Sequence, residues 1–187
     1  MNVYLFIKFQ FYPFRLVIYR WLNCFDNAKA IIYVVNLAGY CSVLFEDKSV
    51  IRMQESLNLF EQTMANPLFF NIPVFLFLNK KDLFESLIRT KPITCCFPHY
   101  SGDNELRSCL DFIAQEYQKR LPPKRPLATV CLLAARVKKD VGYCFDEVKD
   151  VLLELHAKEI QKNKKALTKA EAKYAENGTN SKLQDGD

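Results

Sequence analysis

The chain has 187 residues, of which half are hydrophobic and a quarter are charged, and this composition excludes an intrinsically disordered protein. The length suits one domain or slightly more. Five glycines and eight prolines exclude collagen-like and low-complexity architectures. The net charge of +5 is too small to indicate a nucleic-acid partner, and none is predicted.

Seven cysteines and two histidines limit the chemistry that the chain can carry. The cysteine count is odd and no C-x-x-C pair occurs, which argues against a disulfide framework and against a zinc site. We therefore expect reduced thiols in a cytoplasmic protein.

The first apolar run, VYLFIKFQFYPFRLVIY, spans residues 3–19. Lys8, Pro13 and Arg15 interrupt it, so it lacks the stretch of about 18 apolar residues that a membrane span needs. No basic segment precedes it and no small-residue cleavage site follows it, which disfavours a signal peptide. We interpret residues 1–19 as a divergent apolar extension, either a buried strand or a non-native segment.

Three further apolar runs alternate with segments of helical periodicity. The runs cover residues 30–35, 74–78 and 127–135, and the helical segments cover residues 46–65, 106–121 and 141–155. Continuous runs of β-branched and aromatic residues are typical of strands covered on both faces. The alternation predicts an α/β fold with a largely parallel sheet and flanking helices. Residues 85–101 show no sustained period and are predicted as a loop with one short helical turn.

The end of the chain is rich in lysine. Between Lys158 and Lys173 there are six lysines against two glutamates, and the apolar stripe of the last helix has faded. We interpret residues 158–187 as a Lys-rich helical extension followed, from Glu176, by a disordered tail. The extension is either a solvated helix or a surface for anionic membrane, to which peripheral binding would be electrostatic.

The most informative motif directly follows the apolar run at residues 74–78. In open α/β sheets, ligands bind at the carboxyl ends of the strands, which is where this motif lies. It reads Asn79-Lys80-Lys81-Asp82. The Asp82 carboxylate can accept hydrogen bonds from the N1–H and 2-amino groups of guanine, a donor pair that adenine lacks. Asn79 can join neighbouring loops, and the aliphatic stem of Lys80 can cover one purine face. The alternative is a polar turn in which Asp82 caps a helix.

A second candidate lies where the third of these runs ends, at Leu133-Ala134-Ala135-Arg136. A small residue such as Ala135 lets a backbone N–H approach a carbonyl, for example guanine O6. Alone this signal is weak, because alanine is common in protein cores.

Residues 79–84, NKKDLF, resemble the guanine-specificity loop of heterotrimeric G-protein α subunits. Other segments resemble the same family in the same order along the chain. They are W-x-x-C-F at residues 21–25, E-D at 46–47, R-M-x-E-S-x-x-L-F at 52–60, Y-x-G at 100–102, and D-V with F-D-x-V-x-D-V at 140–151. The resemblance runs collinearly from about Trp21 to His156.

This resemblance implies a partial P-loop NTPase domain of the Ras-like GTPase type, which residues 20–157 would form as its C-terminal part. It implies GTP or GDP as ligand, with Mg²⁺ in the family. It also implies the βγ dimer, a G-protein-coupled receptor and an effector as partners at the cytoplasmic face of the plasma membrane. The base-binding residues carried over are Asn79, Lys80, Lys81, Asp82 and Ala135.

The sequence also departs from the family pattern. No segment reads G-x-x-x-x-G-K-[ST], the loop that holds phosphates and Mg²⁺, and the helical domain with its arginine finger has no counterpart. The family's catalytic glutamine would align with Phe14, and its T-C-A-T loop reads Leu133-Ala134-Ala135-Arg136 here. Its receptor-reading C-terminal tip is replaced by a polar segment. We therefore predict no catalytic or metal-binding residues and no GTP hydrolysis by this chain alone.

Two interpretations follow. The chain is the C-terminal part of a G-protein α subunit, whose role in receptor signalling it shares with segments upstream. Alternatively, it is a non-catalytic interaction module that presents the helix at residues 46–65, with the loop after it, to effector or G-protein partners.

Overall fold

The computed structural model describes residues 28–123, 125 and 127–181. The apolar segment at residues 3–19, the stretch around Phe14 and the W-x-x-C-F segment lie outside these residues, so their predicted roles stay predictions.

Three parallel strands form the described sheet. They are β1 (Ile31–Asn36), β2 (Val74–Asn79) and β3 (Thr129–Leu132), in the order β1-β2-β3. Ile31 lies opposite Val74, and Phe75 lies opposite Thr129. All three strands run in the same direction, so their carboxyl ends meet at one edge of the sheet. The prediction of an α/β fold with a largely parallel sheet is confirmed.

Among the residues that the structure describes, four α-helices and three short 3₁₀ segments connect and follow the strands. The helices are α1 (Arg52–Met64), α2 (Lys81–Ile88), α3 (Leu106–Gln118) and α4 (Lys138–Ser181). The 3₁₀ segments are Leu37–Cys41, Pro67–Phe69 and Ile93–Cys95.

One face of the sheet carries an aromatic core that joins β1 to α1 and α3. The ring of Tyr33 meets that of Phe60 edge-on at 4.8 Å, and Phe60 meets Tyr117 edge-on at 5.2 Å. All three side chains are buried. Phe84 packs edge-on against Tyr40 at 5.2 Å, which attaches α2 to the same core. This packing fixes the start of α2, where the candidate base-binding motif lies.

The opposite face of the sheet contacts the first turns of α4. Phe77 of β2 meets Phe145 edge-on, with ring centroids 5.8 Å apart, and Cys131 of β3 is buried beside Cys144. The third strand is less covered than predicted, because Val130 stays 39% exposed. The prediction that all three strands are covered on both faces is therefore wrong for β3, which has one neighbour in the described sheet.

The helix predicted at residues 46–65 begins later, at Arg52. Asp47 accepts hydrogen bonds from the amide and hydroxyl of Ser49 at 2.9 and 2.6 Å, which closes a local turn. Val43 then pairs with Ile51 as an antiparallel bridge. Aspartate and serine favour such turns over helix interiors, and the helical spacing of Val50 with Met53 concealed this.

The segment after β2 contains more helix than predicted. Helix α2 occupies Lys81–Ile88, so part of the loop predicted at residues 85–101 is helical. The helix is short and starts inside the polar motif, where apolar periodicity gives no signal. The predicted short turn corresponds to the 3₁₀ segment Ile93–Cys95.

The chain divides into two compact units, residues 1–148 and 149–187. The first contains the sheet, helices α1 to α3 and the first turns of α4. The second contains the rest of α4, with an ion pair of 2.7 Å between Lys158 and Glu154. Its backbone is helical up to Ser181, including residues 176–181, which the sequence analysis assigns to a disordered tail.

Candidate functional site

The two loops that the sequence analysis selects meet at the carboxyl edge of the sheet. The amide of Leu133 donates to the carbonyl of Leu78 at 3.0 Å, which continues the pairing of β2 and β3 past the end of β3. The amide of Lys81 then donates to the carbonyl of Leu133 at 3.3 Å. The loop after β2 and the loop after β3 are thus held side by side, as the parallel register requires.

Asn79 joins these loops through its side chain. Its Oδ1 accepts hydrogen bonds from the amide of Lys80 at 2.7 Å and from the amide of Ala135 at 2.9 Å. This is the link between neighbouring loops that the motif predicts for Asn79.

Lys80 adopts an unusual backbone conformation between β2 and α2. Its φ of 64° and ψ of 36° are left-handed, and it is the one non-glycine residue with positive φ in the described part of the chain. A left-handed residue with a side chain costs about 1–2 kcal/mol. Lys80 also occupies the N-cap position of α2 without a side-chain hydrogen bond. Asp82 lies in the first turn instead, so the prediction that Asp82 caps the helix is wrong. The alternative that the motif is a polar turn without a ligand stays open.

The Asp82 carboxylate is the acceptor that the motif assigns to the guanine edge. Its side chain is 26% exposed, and its Oδ2 lies 2.7 Å from Nη2 of Arg136. The N-terminus of α2 favours a negative charge at this position. The two lysines of the motif precede Asp82, and Lys80 is exposed whereas Lys81 is half-buried.

The amide of Ala135, which was expected to be free to approach guanine O6, already has an acceptor within the chain. Because this N–H donates to Asn79, a base carbonyl such as guanine O6 reaches it only as a second acceptor. Ala135 itself is exposed, so no side chain of its own blocks that approach.

Two residues that contact the candidate site were not predicted from the sequence. Arg136 contacts Asp82, and Asp140 accepts the amide of Ala134 at 3.1 Å, which fixes the loop after β3 from the side of α4. An arginine directly after Ala135, at a strand end beside the loop that carries Asp82, was the available signal for the first. Asp140 lies in the helix start that was compared with the G-protein family, but its spacing gave no indication of this contact.

Comparison with known proteins bears directly on this arrangement. The family model described as G-protein alpha subunit matches residues 18–152. The chain belongs to the G-protein alpha subunit family. The guanine nucleotide-binding protein alpha-8 subunit of Dictyostelium discoideum is 47% identical over 152 residues, which cover 81% of this chain. The guanine nucleotide-binding protein G(o) subunit alpha of Locusta migratoria is 36% identical over 134 residues, or 72% of this chain.

In both comparisons the matched region is 38% of the relative's own length. This G-protein alpha chain therefore spans well under half of the curated relatives it matches. What those proteins do as wholes passes to this chain only as a proposal.

The groups that the motif assigns to the guanine base lie together in the structure. A carboxylate, an amide-tied loop pair and a lysine stem lie at one sheet edge. By contrast, the described residues contain no group of three or more histidine, cysteine, aspartate or glutamate side chains able to hold a metal ion. Nor does any helix among the described residues have the length and apolarity needed to cross a membrane.

Proposed function

We propose that this chain recognises the guanine base of GTP or GDP for a G-protein alpha subunit. The observation that carries the proposal is the meeting of the two loops, where Asn79 bonds the amide of Ala135 and Asp82 lies beside them. The carboxylate accepts from the donor edge of guanine, which carries the N1–H and the 2-amino group, and Lys80 covers a face of the ring. Lys81 holds the start of α2 to the second loop through its amide.

The energetics predict weak binding by this chain alone. Two to four hydrogen bonds to a base contribute about 0.5–1.5 kcal/mol each, or up to about 3 where a charge takes part. The loss of translational and rotational freedom offsets much of that sum, so the affinity is expected in the millimolar range. Phosphate contacts, for which the sequence supplies no G-x-x-x-x-G-K-[ST] loop, would add most of the affinity of a complete site.

The test is a titration of the full chain with GMP and AMP at millimolar concentration, followed by saturation-transfer NMR. GMP and AMP carry the same ribose phosphate, so the ratio of their affinities reports the contribution of the base. We expect GMP to bind several-fold more tightly, and Asp82→Ala to remove that preference.

Glu85→Ala is the matched control, because Glu85 is a carboxylate of the same helix that pairs with Arg89 instead. This control should keep the preference for GMP. Equal binding of GMP and AMP by the unmodified chain, or an unchanged preference in Asp82→Ala, would contradict the proposed site.

The family supports wider proposals for the protein to which this chain contributes. These are transduction of signals from a G-protein-coupled receptor, association with the βγ dimer and an effector, and location at the cytoplasmic face of the plasma membrane.

Exposed lysines of α4, namely Lys158, Lys162, Lys164 and Lys165, add electrostatic attraction to anionic lipid, at about 1 kcal/mol each near the surface. Sedimentation with phosphatidylserine vesicles, lost when these lysines become glutamines, would support that contact. Retained sedimentation would contradict it.

A second candidate is the non-catalytic interaction module. The observation that favours it lies in the loop after α1, where Leu68 is 45% and Phe70 is 48% exposed. Two large apolar side chains close in sequence and half-exposed to solvent suit a partner surface.

The test for this candidate is binding of the full chain to purified βγ dimer by interferometry. Changing Leu68 and Phe70 together to serine should abolish binding if the loop carries it. Leu83→Ser is the control, because Leu83 of α2 is exposed to a similar extent, 47%, outside that loop. Binding that survives the double change would remove this candidate for the βγ dimer.

A further inference from the structure

The base-recognising carboxylate of Asp82 already has a partner within the described chain. Nη2 of Arg136 lies 2.7 Å from Oδ2 of Asp82, a charge-assisted contact. The Asp82 side chain is 26% exposed, whereas that of Arg136 is 75% exposed. The cation therefore reaches from solvent onto a carboxylate that is largely enclosed.

The backbone around Arg136 holds it in reach of Asp82. The preceding amides of Ala134 and Ala135 are bonded to Asp140 and Asn79, and the following amide of Val137 donates to Ala134 at 2.7 Å. The loop is thereby fixed on both sides of Arg136 while its long side chain projects into solvent. An exposed ion pair of this kind is weak, so a ligand can displace it.

We propose that Arg136 is a specificity-determining residue that competes with the guanine base for the Asp82 carboxylate. This inference rests on the proposed function of the site. An oxygen that accepts from a guanidinium is a poorer acceptor for a base, and the N–H edge of guanine carries partial positive charge that the cation repels. Arg136 thus engages one oxygen of Asp82 and leaves the other for a ligand.

The consequence concerns which purines the site separates. Guanine presents N1–H and a 2-amino group, whereas hypoxanthine presents N1–H alone. A single free oxygen accepts a hydrogen bond from the N1–H that both bases share. The second oxygen is needed to accept one from the 2-amino group of guanine. With Arg136 in place, the site separates both from adenine but separates them poorly from each other.

The experiment compares GMP and IMP binding to the full chain by saturation-transfer NMR titration. We expect the two affinities to agree within about twofold in the unmodified chain. In Arg136→Ala the affinity for GMP should rise about fivefold while that for IMP changes little, which corresponds to about 1 kcal/mol, the upper end for an exposed pair. Raising KCl to about 1 M should increase the GMP affinity of the unmodified chain but not of Arg136→Ala.

Arg89→Ala is the matched control, because Arg89 is also 75% exposed and pairs with Glu85 of α2, away from Asp82. It should leave the GMP to IMP ratio unchanged. Arg136→Gln, which keeps the length of the side chain without its charge, should behave as Arg136→Ala, and it serves if the alanine variant fails to fold.

The outcomes separate this inference from the proposed function. If Asp82→Ala weakens GMP binding but Arg136→Ala leaves the GMP to IMP ratio unchanged, the competition is wrong and the base site stands. If Asp82→Ala leaves GMP binding unchanged, the base site itself is wrong and the competition fails with it. A fivefold preference for GMP already present in the unmodified chain would also overturn the competition.

Discussion

At the scale of single residues, the junction between β2 and α2 depends on a lysine in a conformation that disfavours it. Lys80 is left-handed with φ of 64°, and its amide is bonded to Asn79. This geometry turns the chain sharply from the strand into the helix, so that Asp82 falls at the carboxyl edge of the sheet. Strain of this kind persists where the surrounding contacts enforce it.

This strain leads to a prediction for stability. Lys80→Gly relieves a cost of about 1–2 kcal/mol, and the extra freedom of glycine in the unfolded chain offsets about 0.5–1 kcal/mol of that gain. We expect its free energy of unfolding in urea to be equal to that of the unmodified chain or up to about 1.5 kcal/mol higher. Lys80→Val should lower it by at least about 1 kcal/mol, because β-branched residues fit this region worst. Equal stability of the glycine and valine variants would contradict the assignment.

The residue scale also marks the limit of sequence reasoning about the site. The strand-end position of the motif was enough to predict that Asn79 joins two loops, because parallel strands bring their ends together. The contact between Arg136 and Asp82 depends on the path of a loop and the rotamer of a long side chain. Neither is encoded in periodicity or local composition.

At the scale of elements, a buried serine connects three parts of the core. Ser56 of α1 accepts the hydroxyl of Tyr117 at its Oγ at 2.8 Å, and its carbonyl accepts the hydroxyl of Tyr33 at 2.9 Å. Helix α1 thus bonds both α3 and β1 within an apolar surrounding. A polar network of this kind fixes how elements pack, provided that each member is satisfied.

A double-mutant cycle tests that connection. Ser56→Ala should lower the free energy of unfolding by about 1–3 kcal/mol, because it leaves the buried hydroxyl of Tyr117 without its acceptor. The double variant with Tyr117→Phe should cost less than the sum of the two single changes. Additive costs, measured by urea denaturation, would show that the hydrogen bond contributes nothing specific.

The end of α3 carries a second polar cluster. Glu116 is buried, and its carboxylate lies 2.7 Å from Lys119 and 3.1 Å from Arg120. Burial acts to raise the pKa of Glu116, but the hydrogen bonds from Lys119 and Arg120 outweigh it and hold the pKa below its ordinary value. The folded state therefore favours the ionised carboxylate.

This cluster predicts a pH dependence of stability. A lowered carboxyl pKa stabilises the fold above the unfolded pKa, about 4.3, and that contribution is lost as the pH falls through the folded pKa. Glu116→Gln should lower the free energy of unfolding by about 2 kcal/mol at pH 7, with the difference shrinking below about pH 4. Glu61→Gln, at an exposed position of α1, is the control and should leave the free energy of unfolding nearly unchanged. A constant deficit at every pH would contradict the ionised pairing.

The elements themselves were predictable to different degrees. Apolar runs marked β1 and β2 to within a residue, because strands buried on both faces leave a continuous signal. The start of α1 was misplaced, since the turn closed by Asp47 and Ser49 coincides with apolar residues at helical spacing. Helix α2 was not predicted, and its second half was assigned to a loop, because its first turn is the polar motif itself.

At the scale of the whole molecule, membership of the family does not mean that this chain carries every motif of the family. The family model covers residues 18–152, which include all the collinear motifs. The described fold brings the proposed base-binding residues together at one sheet edge, whereas the 187-residue sequence contains no phosphate-binding motif of the family type. Fold, family and the general classes of partner could be predicted from the sequence because the long-range order of motifs is specific. Which particular receptor and effector this chain would serve could not, since that depends on surfaces that periodicity does not reveal.

This distinction predicts the result of an activity assay. The 187-residue polypeptide expressed alone should release no phosphate from GTP above the buffer rate, because the groups that hold the phosphates and orient the attacking water are not matched in its sequence. Phosphate release is the measurement, with Asp82→Ala as the companion variant. Turnover in the unmodified chain that this variant abolishes would contradict the prediction.

The parallel sheet also constrains how this chain reaches its native state. No two neighbouring strands of the described sheet are joined by a hairpin, since α1 lies between β1 and β2, and α2 and α3 lie between β2 and β3. Each pairing must therefore wait for a long intervening segment to close, which is an entropic barrier that local sequence cannot lower. The central strand β2 is the meeting point of both closures. Its ordering is expected to coincide with the rate-limiting step of folding, with the helices forming ahead of it.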